Sequence, residues 1–208
     1  MTRHQEIYAL KVLSEMIEDR GYCIDYMKNN DENDENDENE NNVKNESDTQ
    51  SEQNDDDHKE EIPSYVIKAF HTTNHKNIIL CFLSEEDKLN IQGIKEKISI
   101  MNKENADRCI IVYRTSVTSS AKKSLETLRY NFELFGLHEL QLNITKHRLV
   151  PRHEKASLEE KNELDKSYKG KLPVLLHTDP VSRYYAFQRG DYIRITRKNG
   201  TIHYRVVK

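Results

Sequence analysis

Residues 179–205 read DPVSRYYAFQRGDYIRITRKNGTIHYR, and this stretch decides the fold of the C-terminal third of the chain. It opens with Asp179-Pro180, which joins a residue that favours the N-cap of a helix to one that favours the first helical position. The sequence therefore predicts a short helix over Val181–Phe187 that ends toward Gly190.

The second half of the same stretch has the pattern of a β-hairpin. Apolar and polar side chains alternate over residues 192–196 and again over residues 202–206, which is typical of strands with one buried face. Asn199-Gly200 lies between them and favours a type I′ turn, because both central positions of that turn need a positive φ. These residues predict a hairpin at the C-terminal end of the printed sequence.

A helix and an extended segment precede the short helix. Ser157 and Glu160 have the spacing of a capping box, which predicts a charged helix to about Tyr168. Residues 172–177 contain Pro173, which favours an extended backbone. Because Pro151 interrupts the chain ahead of these elements, residues from about 145 onward predict a compact α+β module.

The N-terminal part begins with a helix. Ile7, Leu10, Leu13 and Ile17 recur at near-helical spacing. Gly21 supplies the stop, because glycine readily takes the left-handed conformation that ends many helices.

Strand and helix signals then alternate along the chain. Apolar runs at Ile78–Leu83 and Arg108–Tyr113 predict buried strands, and the spacing from Ile91 to Met101 predicts a helix between them. We expect Ser84–Asp87 to start that helix. A further helix follows Thr118, and residues 132–135 and 140–143 are short strand candidates. This order predicts a mixed or parallel sheet with covering helices.

The charge of the chain is unevenly distributed. Residues 31–61 hold 15 Asp/Glu and 2 Lys with almost no apolar side chain, so they cannot bury enough surface to fold, and we interpret them as a disordered insertion. The rest of the chain then carries 30 Lys/Arg against 21 Asp/Glu. A basic surface of this kind suits nucleic acid or an acidic protein partner, and it does not choose between them.

Three cysteines, Cys23, Cys81 and Cys109, lack the spacing of a zinc site or a disulfide framework. Cys81 and Cys109 lie in apolar runs and are predicted core residues. We predict no cofactor and no metal. The chain shows no signal peptide and no apolar stretch long enough to cross a bilayer, so we expect an intracellular, soluble protein with no membrane partner.

Three ordered motifs resemble one family. The segment NITKHRLVPRH at 143–153, with the motifs at 179–191 and 195–205, is similar to the assembly domain of RNA polymerase subunit 5. That subunit is common to eukaryotic RNA polymerases, and its C-terminal part has a counterpart in archaeal polymerases. The resemblance implies a non-catalytic polymerase subunit. Residues 1–144 would form a nuclease-like α/β jaw domain with the acidic insertion at about 28–61, and residues 145–208 a small α+β assembly domain.

The resemblance also implies which residues contact other subunits. The assembly domain would dock on the largest polymerase subunit and lie near neighbouring small subunits. The implied interface residues are His147, Leu149, Val150, Pro151, Arg152, His153, Asp179, Pro180, Arg183, Tyr184, Arg189, Gly190 and Arg205. His147 and His153 lack the Cys or carboxylate neighbours that a metal site needs, so we interpret them as structural.

The jaw domain would support downstream duplex DNA. Its implied DNA-proximal residues are Thr118, Ser119, Ser120, Ala121, Lys122 and Lys123. Hydroxyls, free backbone N–H groups at a helix N-terminus and two lysines all suit phosphate. The family has a similar T-P-S-A motif here, and Ser119 stands where the family has proline. An ordinary N-cap followed by a solvated basic turn explains the same residues without a function.

Two other functions fit parts of the sequence. Glu86-Asp87-Lys88 after a strand is similar to the Glu-x-Lys of metal-dependent nucleases, in which carboxylates hold Mg²⁺, but the acidic residue needed upstream would have to come from the acidic stretch. The basic excess also fits a nucleic-acid-binding module unrelated to polymerase. The polymerase interpretation places the protein in the nucleus of a cell, or in a virion or host cytoplasm if a large DNA virus encodes it.

Overall fold

A computed structural model describes residues 3–25, 66–73, 77–84, 86, 88–127, 131–168 and 171–208. The predicted acidic insertion at about 28–61 lies outside the described residues. The described part combines helices with both parallel and antiparallel strands, so the predicted α+β class is confirmed.

The N-terminal module is built on a five-stranded sheet. Its elements are α1 (Arg3–Asp19), β1 (Tyr22–Asp25), β2 (Val66–His71), β3 (Ile78–Leu83), β4 (Lys88–Leu89), α2 (Ile91–Lys103), β5 (Arg108–Tyr113), β6 (Ser116–Val117), α3 (Ser119–Thr127) and β7 (Asn131–Gly136). The strand order is β1-β2-β3-β5-β7. The first three strands are antiparallel, and β3, β5 and β7 run parallel. The predicted mixed sheet with covering helices is therefore confirmed.

Helices cover both faces of this sheet. The buried side of α1 packs on one face, and α2 and α3 pack on the other. Central strands buried on both faces need apolar side chains at successive positions, which explains the runs in β3 and β5. Cys81 and Cys109 are buried, as predicted, and burial raises the pKa of both thiols. They lie on opposite faces of the sheet.

Three local predictions for this module are wrong in detail. Ile7 is 56% exposed, whereas Leu13 and Ile17 of the predicted stripe are buried together with Val12 and Met16. Helix α2 begins at Ile91, since residues 88–89 first pair with β6 and Asn90 accepts from the Gly93 N–H at 2.9 Å. Residues 140–143 form no strand, because a 3₁₀ helix at Leu137–Leu140 packs under α1.

The C-terminal module is built on a second sheet. Its elements are β8 (Arg152–Lys155), α4 (Leu158–Tyr168), β9 (Val174–Leu175), α5 (Pro180–Tyr184), β10 (Tyr192–Thr196) and β11 (Ile202–Val207). The strand order is β8-β10-β11-β9, with only the β11–β9 pair parallel. The capping box predicted for α4 is confirmed, because Ser157 and Glu160 exchange hydrogen bonds of 2.8 and 3.1 Å.

The predicted hairpin is confirmed, but its turn type is not. Gly200 has a φ of +82°, whereas Asn199 is not among the described residues with positive φ. Because the Arg197 N–H donates to the carbonyl of Thr201, the loop has three residues and needs one left-handed position. Helix α5 likewise ends at Tyr184 and not at Phe187.

Among the described residues, no helix combines the length and hydrophobicity needed to span a bilayer.

Candidate functional site

The three C-terminal motifs converge on one groove. Register pairs Ile195 with His153 on β8 and with His203 on β11, so these side chains form a row across the sheet. The groove above this row has a volume of about 330 Å³. We call it the C-terminal groove; its lining includes Leu149, Val150, Pro151, His153, Asp179, Val181, Arg197, His203 and Arg205.

An apolar ridge borders the groove. Leu149 is 75% exposed, and Val150 and Pro151 are half-buried beside it. A second hollow of about 330 Å³ lies on the other side of Val150 and Pro151 and reaches Arg152. An exposed apolar ridge between two hollows is the kind of surface that a protein partner covers.

The two predicted structural histidines shape this ridge. His147 accepts the Leu149 N–H at Nδ1 over 3.3 Å, and its carbonyl accepts the Val150 N–H at 3.0 Å. His153 places Nδ1 2.8 Å from the Pro151 carbonyl oxygen. Burial lowers the pKa of His153, against the raising effects of that carbonyl and of Asp179. The lowered pKa favours the uncharged imidazole.

Five of the remaining predicted interface residues fall in two groups. Asp179 caps α5 by accepting the Val181 N–H at 2.8 Å, and Arg205 donates to the Val174 carbonyl at 3.2 Å. Pro180, Arg189 and Gly190 are exposed outside the groove lining. Asp179 and Arg205 therefore place charged side chains at the groove, whereas the other three residues lie on surface outside it.

The predicted DNA-proximal residues form the start of α3. Thr118 caps the helix, because its hydroxyl accepts the Ala121 N–H at 3.3 Å and its own N–H donates to the Leu89 carbonyl at 3.1 Å. Ala121 is fully buried, while Ser119, Ser120, Lys122 and Lys123 are exposed. We call residues 118–123 the α3 turn. Its lysines make no ion pair with any described residue.

The residues of the nuclease alternative form no metal centre in the described part. Glu86 is exposed and accepts from the Asn90 amide at 3.0 Å. Glu85 and Asp87 lie outside the described residues. Where the structure describes the chain, no three His, Cys, Asp or Glu side chains are grouped to hold a metal ion.

Comparison with known proteins identifies the family. Residues 142–207 match the family model described as RNA polymerase Rpb5, C-terminal domain. The DNA-directed RNA polymerases I, II, and III subunit RPABC1 of Caenorhabditis elegans is 34% identical over 209 residues, which cover 95% of this chain and 92% of that protein. The chain belongs to the RNA polymerase subunit 5 family.

Two other members of the family are also similar to this chain. The subunit RPABC1 of Caenorhabditis briggsae is 38% identical over 150 residues, covering 68% of this chain and 71% of that protein. The subunit rpabc1 of Dictyostelium discoideum is 35% identical over 150 residues, covering 69% and 75%. The resemblance drawn from the three motifs is thereby confirmed, and the family match spans the whole C-terminal groove.

Two predicted interface residues of this family member contact the N-terminal module. Tyr184 is 3% exposed, its hydroxyl donates to Asp19 at 2.7 Å, and it accepts from the Asn143 amide at 2.9 Å. Burial and Asp19 raise its pKa. Arg183 donates to Glu139 and to the Leu134 carbonyl. Tyr184 therefore offers no side-chain surface to another subunit.

Sequence reasoning missed the residue at the centre of this contact. Arg20 is 3% exposed at its side chain and pairs with Glu133 through both terminal nitrogens, at 3.0 and 2.8 Å. It also donates to the carbonyls of Arg183 and Tyr184, each at 2.7 Å. The only signal was its position directly before the helix stop at Gly21.

Proposed function

We propose that this chain is a non-catalytic subunit of a DNA-directed RNA polymerase, and that its C-terminal module docks on the largest subunit. The main support is the convergence of three separate family motifs on one exposed groove. The magnesium and nucleotide chemistry would then lie on other subunits. The complex would reside in the nucleus of a cell, or in a virion or host cytoplasm if a large DNA virus encodes it.

The chemistry of the groove indicates what the docked surface must offer. The ridge at Leu149–Pro151 takes apolar side chains, whose burial drives association. Arg197 and Arg205 supply exposed guanidinium groups beside it, which bind carboxylates in bidentate geometry. The partner surface is therefore apolar at its centre and acidic at its rim, and the basic character of this module serves protein docking.

The N-terminal module would then carry the α3 turn to downstream DNA. Arg20, Tyr184 and Asn143 join the two modules through hydrogen bonds across their boundary, so that the turn keeps a defined position relative to the groove. The cap at Thr118 holds the turn, and Lys122 and Lys123 supply charge toward phosphates. In this proposal the chain acts by holding the α3 turn at a fixed place in the polymerase, and not by catalysing a reaction.

Copurification tests the docking. The tagged full-length chain, expressed in cells that contain its polymerase, is expected to retain both large subunits. Leu149→Asp places a charge at the centre of the apolar ridge, so retention of the largest subunit should fall by about tenfold or more.

Leu158→Asp is the matched control, because Leu158 is 73% exposed on α4 and lies outside the groove. It should retain the subunit as the unsubstituted chain does. Equal retention by the two variants would show that docking uses another surface, and absence of the large subunits from every preparation would overturn the proposed function itself.

A further inference from the structure

Helix α4 is attached to the C-terminal module almost entirely by polar contacts. Of its 11 residues only Leu164 is buried. Among the described residues, the apolar core of the module includes none from α4; it consists of Leu175, Phe187, Ile193, Ile195 and Val207. The apolar packing of the module therefore depends on α4 only through Leu164.

The helix lies on the face of the sheet opposite to that core. Successive side chains of a strand point to opposite faces, so Ile193 and Ile195 point to the core. Tyr192 and Arg194 then point to the second face. Register pairs Arg194 with Tyr204 on β11, which places Tyr204 on the second face as well. These last three side chains all contact α4.

Two tyrosine hydroxyls and two carboxylates hold α4 on this face. Tyr204 donates to Glu160 at 2.7 Å, and Tyr192 donates to Asp165 at 2.5 Å. Glu160 also lies 3.3 Å from the guanidinium of Arg194. Hydrogen bonds and ion pairs that water can reach contribute little net stability, because the same groups bond to water when they separate. The attachment of α4 is therefore weak compared with the apolar core beneath it.

The helix is also too short to persist without the sheet. An isolated helix of 11 residues is at best marginal in water, because few backbone hydrogen bonds follow the costly first turn. When α4 leaves the sheet, its backbone amides therefore become open to solvent. The chain stays anchored on both sides of the helix, since Ala156 donates to the Tyr192 carbonyl at 2.8 Å and Leu172 is buried.

We propose that α4 is a latch, which opens and closes over the second face of the sheet while the rest of the C-terminal module stays folded. Tyr192 and Tyr204 hold the latch closed through their hydroxyl groups. The C-terminal groove lies on the other face, where Ile195 contributes to its lining, so this inference does not rest on the proposed docking.

Amide hydrogen exchange tests the latch on the full-length, isotopically labelled chain. Nuclear magnetic resonance would follow the backbone amides of residues 162–168 and of strands β10 and β11. The helix amides are expected to be protected at least about a hundredfold less than the strand amides, since local opening costs less than unfolding of the module. Their protection should depend little on low concentrations of urea, because opening exposes little surface. Equal protection of helix and strands would overturn the proposal.

A core variant separates opening of the latch from unfolding of the module. Ile193 is fully buried, and the closed and open forms share the core to which it belongs. Ile193→Val should therefore lower the protection of the strand amides by about fivefold while leaving that of the helix amides unchanged. An equal fall in both sets would show that α4 opens only when the whole module unfolds.

The two tyrosine hydroxyls are tested by the double variant Tyr192→Phe/Tyr204→Phe, which keeps both rings. Protection of the α4 amides should fall by about tenfold, because the closed form loses two hydrogen bonds to carboxylates. Tyr168→Phe is the matched control, since Tyr168 is 53% exposed on the same helix, and it should leave the protection unchanged. Unchanged protection in the double variant would contradict the assigned role of these hydroxyls.

Discussion

Ala186 holds a backbone conformation that suits glycine better than alanine. Its φ is +52°, two residues after the end of α5, and its N–H donates to the Arg183 carbonyl at 3.1 Å. The left-handed conformation costs an L-residue about 1–2 kcal/mol because Cβ approaches the carbonyl oxygen. The sharp turn it makes leads the chain from the buried Tyr184 back into its own module at Phe187.

Ala186→Gly should therefore stabilise the protein. We expect the free energy of unfolding to rise by about 0.5–1 kcal/mol, since relief of strain exceeds the entropy that glycine adds to the unfolded chain. Urea denaturation measures the change. Ala121→Gly in the buried face of α3 is the control and should lower stability by about 1 kcal/mol or more. If Ala186→Gly lowers the free energy of unfolding, then the contacts of the alanine methyl group contribute more than the relief of backbone strain.

Strand β7 illustrates how side chains protect a sheet edge. It is the last strand of its sheet, and its outer side is occupied by two groups. Arg183 donates to the Leu134 carbonyl at 2.5 Å, and Glu139 accepts the Gly136 N–H at 2.7 Å. Burial alone would raise the pKa of Glu139, but Arg183 and this N–H hold it below its ordinary value. The ion pair thus closes an edge that could otherwise pair with another chain.

Removing both charges should open the edge. The double variant Arg183→Ala/Glu139→Ala is expected to self-associate in a concentration-dependent way, because free strand edges recruit other strands. Sedimentation velocity reports the association. The control Arg194→Ala/Glu160→Ala deletes an ion pair between β10 and α4, where no edge is exposed. If both variants stay monomeric to the same concentration, the ion pair does not guard the edge.

At the scale of the whole molecule, Arg20 joins the modules. Its side chain is nearly buried and bonds to Glu133 in one module and to two carbonyls in the other. Removing one partner of a buried ion pair leaves an uncompensated charge. Arg20→Ala should therefore lower the free energy of unfolding by about 3 kcal/mol and split one calorimetric transition into two.

Arg114→Ala supplies the comparison for Arg20. Arg114 pairs with Glu6 at 2.7 Å, and both residues belong to the N-terminal module. This variant should lose stability while keeping a single transition. Two transitions in both variants, or one in both, would show that Arg20 has no special part in coupling the modules.

The proposed DNA contact of the α3 turn can be tested in the assembled polymerase. Each lysine–phosphate contact contributes about one unit to the slope of log affinity against log salt concentration. Lys122→Gln/Lys123→Gln should reduce that slope by about two for binding of downstream duplex DNA. Lys11→Gln/Lys166→Gln changes the net charge equally at exposed sites on α1 and α4 and should leave the slope unchanged. Equal slopes for both variants would exclude phosphate contacts by the turn.

Local chemistry was sufficient for most elements, and the resemblance of three motifs was sufficient for the family. The cap at Asp179, the capping box at Ser157 and the helix stop at Gly21 each depend on residues a few positions apart, so reading along the chain finds them. Hairpin strands were found by alternation for the same reason. The motifs that line the C-terminal groove could be recognised in the sequence, although their proximity in the folded chain could not be predicted from it.

Tertiary structure decided the rest, because no local rule links residues far apart in the chain. Arg20 bonds to a carbonyl 164 positions away, and Asn143 to a carboxylate 128 positions away. Because of those contacts, Tyr184 lies in the core of the N-terminal module and not on the expected subunit surface. Strand register likewise set the loop at Gly200, since the backbone angles of a turn must satisfy the pairing on both sides.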